Sequence, residues 1–307
     1  MTNLSAPRFT RETSARKHLE AIRWPDGPIC PHCGSVDNAN KITGESAREG
    51  LWFCADCRKQ FTVTVGTLFE RSHVPLHKWL LAVHLLSASK KGMSAHQMHR
   101  MLGVTYKTAW FMAHRIREAM REINPSPIGG ENKTVEVDET YVGPKAGNRK
   151  SRIVRRKEAV VSLVEREGRV HSVHVPRVNA KTLRPAIVKQ VSRRSYLMTD
   201  ESTVYPKIGR EFAGHGTVNH SIEEYVRGGY WHTNTVEGYF SILKRGINGV
   251  YQHVSEAHLK RYLGEFDFRY NERTGLGVTD DERTVKALKG IEGKRLTYRR
   301  AGLGANV

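Results

Sequence analysis

Apolar residues along this chain change their rhythm twice. Residues 1–75 carry short apolar bursts between turn residues, with Trp52-Phe-Cys54 and Gln60-Phe-Thr-Val63 reading as brief strands. From residue 76 to 123 the period becomes helical. Trp79, Leu80, Val83 and Leu86 recur at helix spacing, and Ser94 caps a second helix running to Leu102. Gly103-Val104 makes a sharp turn, and Thr105 caps a third helix with Ala109, Ala113, Ile116 and Met120 on its apolar face. Helix, short glycine turn, helix is the helix-turn-helix outline. The stretch from Asn124 to Gly130 holds two prolines and two glycines and predicts a linker.

Beyond the linker, strand and helix patterns alternate. Thr134 to Tyr141, Ala159 to Val164 and Arg169 to Val175 predict three strands, the last two joined by the Glu165-Arg-Glu-Gly168 turn. A helix follows over Lys181 to Val191 with Asn179 near its cap, then a buried strand at Tyr196 to Met198. Next come a short helix (Tyr205 to Phe212), a short strand near Thr217 to Asn219, and helices over Thr235 to Lys244 and Glu256 to Tyr270. The order β-β-β-α-β-α-β-α makes an α/β domain, a mixed sheet with helices on its faces. The expected organisation is a cysteine-bearing segment (1–75), a helical segment (76–123), the mixed-sheet domain (131–275) and a basic C-terminal tail (276–307) with some helical character around Glu282 to Gly290.

Charge narrows the choice of partner. The 307 residues hold 50 Lys+Arg against 31 Asp+Glu, a net charge of +19. The excess is spread: residues 1–130 have 18 basic and 10 acidic side chains, residues 131–307 have 32 and 21. A polyanion is the expected partner of both halves, nucleic acid before an anionic membrane. No apolar run approaches the roughly 20 residues of a membrane span, and the N-terminus lacks the apolar core of a signal peptide. The expected location is the cytoplasm, on the nucleoid.

In a reducing compartment four cysteines point to metal before disulfide. Cys30-Pro-His-Cys33 and Cys54-Ala-Asp-Cys57 are two CxxC pairs separated by 20 residues. Each pair lets two thiolates reach one ion from a tight knuckle, and two knuckles close a tetrahedral Cys₄ shell with no open position. The zinc expected there is structural. Gly34 and Arg58, just after the pairs, suit the knuckle turns. In the helix-turn-helix segment Tyr106, Lys107 and Trp110 would sit where base contacts are usually made, with Arg115, Arg117 and Arg121 placed further along for phosphates. A plain helical bundle would show the same pattern.

Three carboxylates carry the candidate chemistry. Asp138 ends the first strand of the mixed sheet, Asp200 ends the fourth, and Glu237 lies on the helix after the fifth. If strands one and four are adjacent, these groups converge as hard oxygen ligands suited to two Mg²⁺ or Mn²⁺ ions. Acidic residues at strand ends are also common without function, and Glu136, Glu139 and Glu201 stand beside the chosen ones. Arg149, Lys150, Arg152, Arg155 and Arg156 form a basic run between the first two strands, fit for DNA contact or simply solvated. Tyr230, Trp231 and Tyr239 are candidates for stacking on unpaired bases, or for the core.

Three blocks, Val135 to Gly143, Thr199 to Ser202 and His232 to Gly246, resemble the signatures of bacterial insertion-sequence transposases of the DDE class. More narrowly they are similar to the ISXO-type group, whose members carry an N-terminal zinc ribbon. The segment from Glu265 to Arg273 is similar to that group's closing helix. The resemblance covers about residues 25–275. It implies a ribonuclease-H-like catalytic fold and Asp138, Asp200 and Glu237 as the metal-binding triad. It further implies DNA contact by Lys244, two turns beyond Glu237, with Arg245 beside it. Some members of the group have Asn as third residue, and Asn234 lies one turn before Glu237; Glu237 is the expected ligand because a carboxylate binds a divalent ion more strongly than an amide. The implied activity is binding of terminal inverted repeats, metal-dependent strand cleavage and strand transfer into target duplex, by a homodimer or larger assembly on DNA. Two other readings share the same cysteines and charge: a DNA-binding regulator with an inactive third domain, and a nuclease acting on RNA–DNA hybrids.

Overall fold

The structure, a computed structural model, describes residues 2–45, 47–143, 157–218 and 230–297. The predicted basic run Arg149, Lys150, Arg152, Arg155 and Arg156 lies outside the described residues. The chain divides into two compact units: one of residues 1–89, 93–120 and everything from Thr279 on, the other of residues 90–92 and 121–278.

The first unit begins with two helices the sequence reading did not separate from the ribbon, α1 (Pro7–Thr10) and α2 (Glu12–Arg23), which bury Phe9, Ala15 and Leu19. Their apolar content is thin, so periodicity alone gave little signal. A three-stranded antiparallel ribbon follows, β1 (Ala39–Lys41), β2 (Trp52–Cys54) and β3 (Gln60–Phe61). Then come α3 (Leu76–Ala88), α4 (Ala95–Leu102) and α5 (Tyr106–Met120). The predicted caps are present: Ser94 Oγ accepts from Gln97 N at 3.1 Å and Thr105 Oγ1 from Thr108 N at 3.2 Å. Gly103 closes α4 in the left-handed region, φ 57°, with its N–H on His99 O.

Helix α3 is buried nearly all round, including Trp79, Leu80, Ala82, Val83, His84, Leu86 and Ser87, so it must be covered on several sides. α1, α2 and α5 supply part of the cover, and a closing helix, Asp280–Lys289, supplies the rest. The helical character expected around Glu282 to Gly290 in the basic tail is thus a helix packed into this unit. Thr279 and Glu282 form a capping box, Ala287, Leu288 and Ile291 are buried, and Thr284 Oγ1 meets His84 Nδ1 at 2.9 Å. An apolar stripe sparse in a basic sequence is enough once α3 offers a surface to cover.

The second unit is a five-stranded mixed sheet. Its strands are β4 (Thr134–Val142), β5 (Glu158–Glu165), β6 (Val170–Val175), β7 (Tyr196–Thr199) and β8 (Gly214–Thr217), in spatial order β6-β5-β4-β7-β8. β5 is antiparallel to both neighbours, whereas β4, β7 and β8 run parallel. Counted within the unit this is order 3-2-1-4-5 with only the second strand reversed, the ribonuclease-H-like arrangement. Helices α6 (Ala180–Gln190) and α7 (Tyr205–Gly209) cover one face, against Val135, Val137, Val161 and Leu163. Helices α8 (Asn234–Gly246) and α9 (Glu256–Asn271) cover the other, against Val142, Val160, Val164 and Val170.

Two boundaries differ from expectation. Residues at the end of the predicted linker are part of this unit: Ile128 N donates to Gln190 O at 2.7 Å and Ser192 N to Ile128 O at 2.9 Å. The fifth strand begins at Gly214 rather than near Thr217, because half of it is glycine and carries no apolar signal. Gly216 has a packing reason, since a Cβ there would meet Trp231 Cε3 at 1.7 Å.

Candidate active site and zinc centre

The four cysteines converge as their spacing requires. Cys30 Sγ lies 3.6 Å from Cys57 Sγ, and Cys33 Sγ lies 3.6 Å from Cys54 Sγ. All four sulfurs fall within 4.8 Å of one another. A tetrahedron with Zn–S near 2.3 Å has S···S edges of about 3.8 Å, so the site fits zinc. Gly34 (φ 81°) and Arg58 (φ 56°) make the two knuckle turns. Gly34 N donates to Cys30 O at 2.9 Å, and Cys54 N to Lys59 O at 3.0 Å. Four sulfurs leave no open coordination position, which makes the centre structural.

The carboxylates gather on the sheet. On β4, alternation sends Val135 and Val137 toward α6 and α7 and sends Glu136 and Asp138 toward α8. β4 pairs with β7 through Glu136↔Met198; continuing that register brings Asp200, just past β7, beside Asp138. Asp200 Oδ1 accepts from Ser202 N at 3.1 Å, which fixes the turn leaving the strand. Glu237 stands in the first turn of α8, its Oε1 accepting from Thr233 Oγ1 at 3.0 Å.

Electrostatics ties the three together. Burial pushes the Asp138 carboxyl up to about 7, the Glu139 N–H that it accepts opposes this, and the charges of Asp200, Glu139 and Glu237 add to the rise. Glu139 faces the other side, takes the hydroxyl of Tyr205, and is itself raised chiefly by burial. A buried carboxylate crowded by like charges is the environment that a divalent cation relieves. The three groups are not among the sets, within the described residues, whose ligand atoms all lie within 4.8 Å of one another.

The remaining predicted residues divide. Asn234 is the first residue of α8 and is exposed. Lys244 and Arg245 are exposed in its last turn. Lys244 and Lys157 line a cleft of about 240 Å³ with Tyr141, Gly143 and Asn248. Tyr106 and Lys107 are exposed at the start of α5, and His96 stacks on Tyr106 at 4.2 Å. Arg117 is a correction, and Arg115 is turned partly inward. Arg117 is 2 % exposed, and Arg115 is half-buried, donating to Leu296 O at 3.2 Å with its guanidinium 4.6 Å from the Phe111 ring. Helical spacing alone did not separate them from outward-facing arginines. Tyr239 belongs to the core: its hydroxyl donates to Asp267 Oδ1 at 2.6 Å, and Ser172 Oγ donates to the same oxygen at 2.7 Å.

Comparison with known proteins places these features. Residues 129–271 match the ISXO2-like transposase domain, and residues 10–60 match the transposase zinc-ribbon domain. These two stretches are thus similar to an ISXO2-like transposase domain and to a transposase zinc ribbon. A curated relative from Halobacterium salinarum, "Uncharacterized protein in transposable element ISH50", is 28% identical over 278 residues, covering 85% of this chain and 91% of the relative. A chain from "Crystal structure of a pre-cleavage Mos1 transpososome" aligns over 95% of each chain at 10% identity with a TM-score of 0.25, too loose to bear on the fold. The sheet that holds the carboxylates lies in the first stretch, and the Cys₄ centre in the second. Among the described residues no helix is long and apolar enough to cross a membrane.

One residue that sequence reasoning passed over stands beside the site. Glu136 was set aside as a neighbour of Asp138, yet it is fully buried. Period-two alternation was the available signal, because it puts residues 136 and 138 on one face. A buried carboxylate there must find donors.

Proposed function

We propose that this chain is the transposase of an insertion sequence, cutting DNA at the ends of its element and joining them to target duplex. The observation that carries the reading is the gathering of Asp138, Asp200 and Glu237 on a ribonuclease-H-ordered sheet, where burial raises the Asp138 carboxyl to about 7 and the charges of Asp200 and Glu237 add to the rise. Asp138 and Asp200, from adjacent parallel strands, would hold the ions, with Glu237 closing the set from α8. Bound divalent ions would supply activation of the attacking oxygen and stabilisation of the leaving one in an in-line displacement.

The chain's own residues do the rest. Lys244 and Arg245 lie along the helix that carries Glu237 and would hold backbone phosphates of the DNA end. The basic run from Arg149 to Arg156 is assigned to the same DNA. Lys107 and Tyr106, exposed at the start of α5, would read the terminal inverted repeat together with the zinc ribbon. Two ends must be handled together, so the active species is a dimer or larger assembly on DNA.

The test is a divalent-ion-dependent cleavage assay on duplexes ending in the element's repeat, with repeat binding measured in parallel. Asp138→Ala and Asp200→Ala are expected to abolish cleavage and spare binding. Retained cleavage in either variant removes that residue from the triad. Glu237→Ala against Asn234→Ala decides the third position. A wild-type chain that binds the repeat and never cuts would make it a DNA-binding regulator instead.

A further inference from the structure

Buried and carrying a formal charge, Glu136 lies two residues before Asp138 on the same face of β4. Four donors converge on it. Oε1 accepts from Arg166 Nε at 2.7 Å and from Thr235 Oγ1 at 2.9 Å. Oε2 accepts from Thr235 N at 2.8 Å and from Val236 N at 3.0 Å. The two amides belong to the first turn of α8, which needs acceptors for its leading N–H groups and favours a negative charge there. His232 Nδ1 is a further 3.1 Å neighbour of Oε1, outside hydrogen-bonding alignment.

Arg166, on the β5–β6 turn, extends the grip. Its Nη1 donates to Tyr230 O and its Nη2 to His232 O, each at 2.9 Å. Thus one carboxylate and one guanidinium hold the segment entering α8 and the first turn itself. The residue directly after Val236 is Glu237.

We propose that Glu136 is a positioning residue for the third carboxylate: from the strand that carries Asp138 it latches the start of α8, and so fixes where Glu237 faces Asp138. This rests on the reading of Asp138, Asp200 and Glu237 as ion ligands. The α8 N-terminus has no side-chain cap hydrogen bond from its own N-cap residue, Thr233, whose hydroxyl is directed to Glu237 instead. The cap comes from the sheet, which ties the helix register to the strand.

Glu136→Gln tests the latch at nearly constant shape. Each oxygen of Glu136 meets two donors, so whichever end becomes an amide nitrogen leaves two donors unmatched. The expected result is a rise of at least tenfold in the Mn²⁺ concentration for half-maximal cleavage, with partial recovery at high Mn²⁺. Amide hydrogen exchange, read without catalysis, is expected to speed up at least tenfold at Thr235 and Val236 while β5 keeps wild-type protection. A merely weakened fold would lower the cleavage amplitude and raise exchange throughout the sheet, leaving the Mn²⁺ midpoint in place, and that result would overturn the proposal. So would wild-type midpoint and wild-type exchange together. Thr235→Val removes only the hydroxyl donor and is expected to shift both readouts the same way by about threefold, which decides the matter if Glu136→Gln does not fold. Glu237→Ala keeps the two readings apart: full cleavage by that variant refutes the triad, whereas an inactive Glu237→Ala beside an unperturbed Glu136→Gln refutes the latch.

Discussion

Asp138→Asn is expected to make the ion-free protein more stable at pH 8, although it removes a proposed ion ligand. The Asp138 carboxyl moves from 3.8 in the unfolded chain to about 7 in the folded one. The shift is upward, so the folded state resists ionisation. Below pH 3.8 both states hold the proton and nothing is lost. Between 3.8 and about 7 the unfolded chain releases a proton that the folded one keeps, and wild-type stability falls as pH rises. Above about 7 the penalty is complete. Three units at about 1.4 kcal/mol each set a ceiling of about 4 kcal/mol. Local relaxation and water lower such ceilings, leaving about 1–3 kcal/mol.

Asparagine keeps the acceptor for the Glu139 N–H, which meets Asp138 Oδ1 at 2.7 Å, and carries no charge to face Asp200 and Glu237. A gain of that size corresponds to a Tm rise of about 2–12 °C for a unit of this length. Thermal melts of both proteins in magnesium-free buffer at pH 5 and pH 8 measure it, because only about two-fifths of the difference has opened at pH 5. Added Mn²⁺ is expected to raise the wild-type Tm more than that of the variant, since an ion that binds only the folded state stabilises it by mass action. An Asp138→Asn chain no more stable than wild type at pH 8, or an offset equal at both pH values, would refute the reasoning.

Tyr239→Phe deletes the hydroxyl that donates to Asp267, a carboxyl that burial raises to about 6 against the pull of its Tyr239 and Ser172 hydrogen bonds. The loss is expected to be about 1–3 kcal/mol at pH 8 and to shrink toward pH 5, where Asp267 is protonated and needs the donor less; denaturation at the two pH values checks the sign. Cys54→Ser breaks the closed four-sulfur shell, and metal analysis is expected to show bound zinc falling from about one ion per chain to well under half of that. Lys244→Ala is expected to weaken binding to DNA ends and to reduce the slope of log affinity against log salt by about one, as loss of a single phosphate contact requires.

Much of this protein was legible in contiguous sequence because the deciding physics is local there. Two cysteines two residues apart dictate a knuckle, and the structure bends the chain at Gly34 and Arg58 to make it. Ser94, Thr105 and Asn179 cap the helices expected of them because a side-chain oxygen reaches an amide three residues on. Asp200 was recognisable as a strand end because the apolar run before it has strand length; Asp138, expected at the end of its strand, stands mid-strand instead, because β4 continues to Val142 in its pairing with β5. Less local features were weaker: β8 is half glycine, and the sparse stripes of α2 and the closing helix gain meaning only against a partner surface.

Only the tertiary structure decided which charged groups turn outward and what the inward ones do. Arg115 and Arg117 look like other helix arginines in sequence, yet the packing around α5 takes both. Asp267 finds Tyr239 and Ser172 from two other elements, 28 and 95 residues away. Glu136 finds the first turn of α8 across 99 and 100 residues. A hydrogen-bond partner that far along the chain leaves no periodicity to read. The sequence by itself determined the zinc knuckles, the succession of strands and helices, and the candidate acids; the fold chose which strands adjoin, which buried acid faces its neighbours unrelieved, and which is tied down by donors brought from elsewhere.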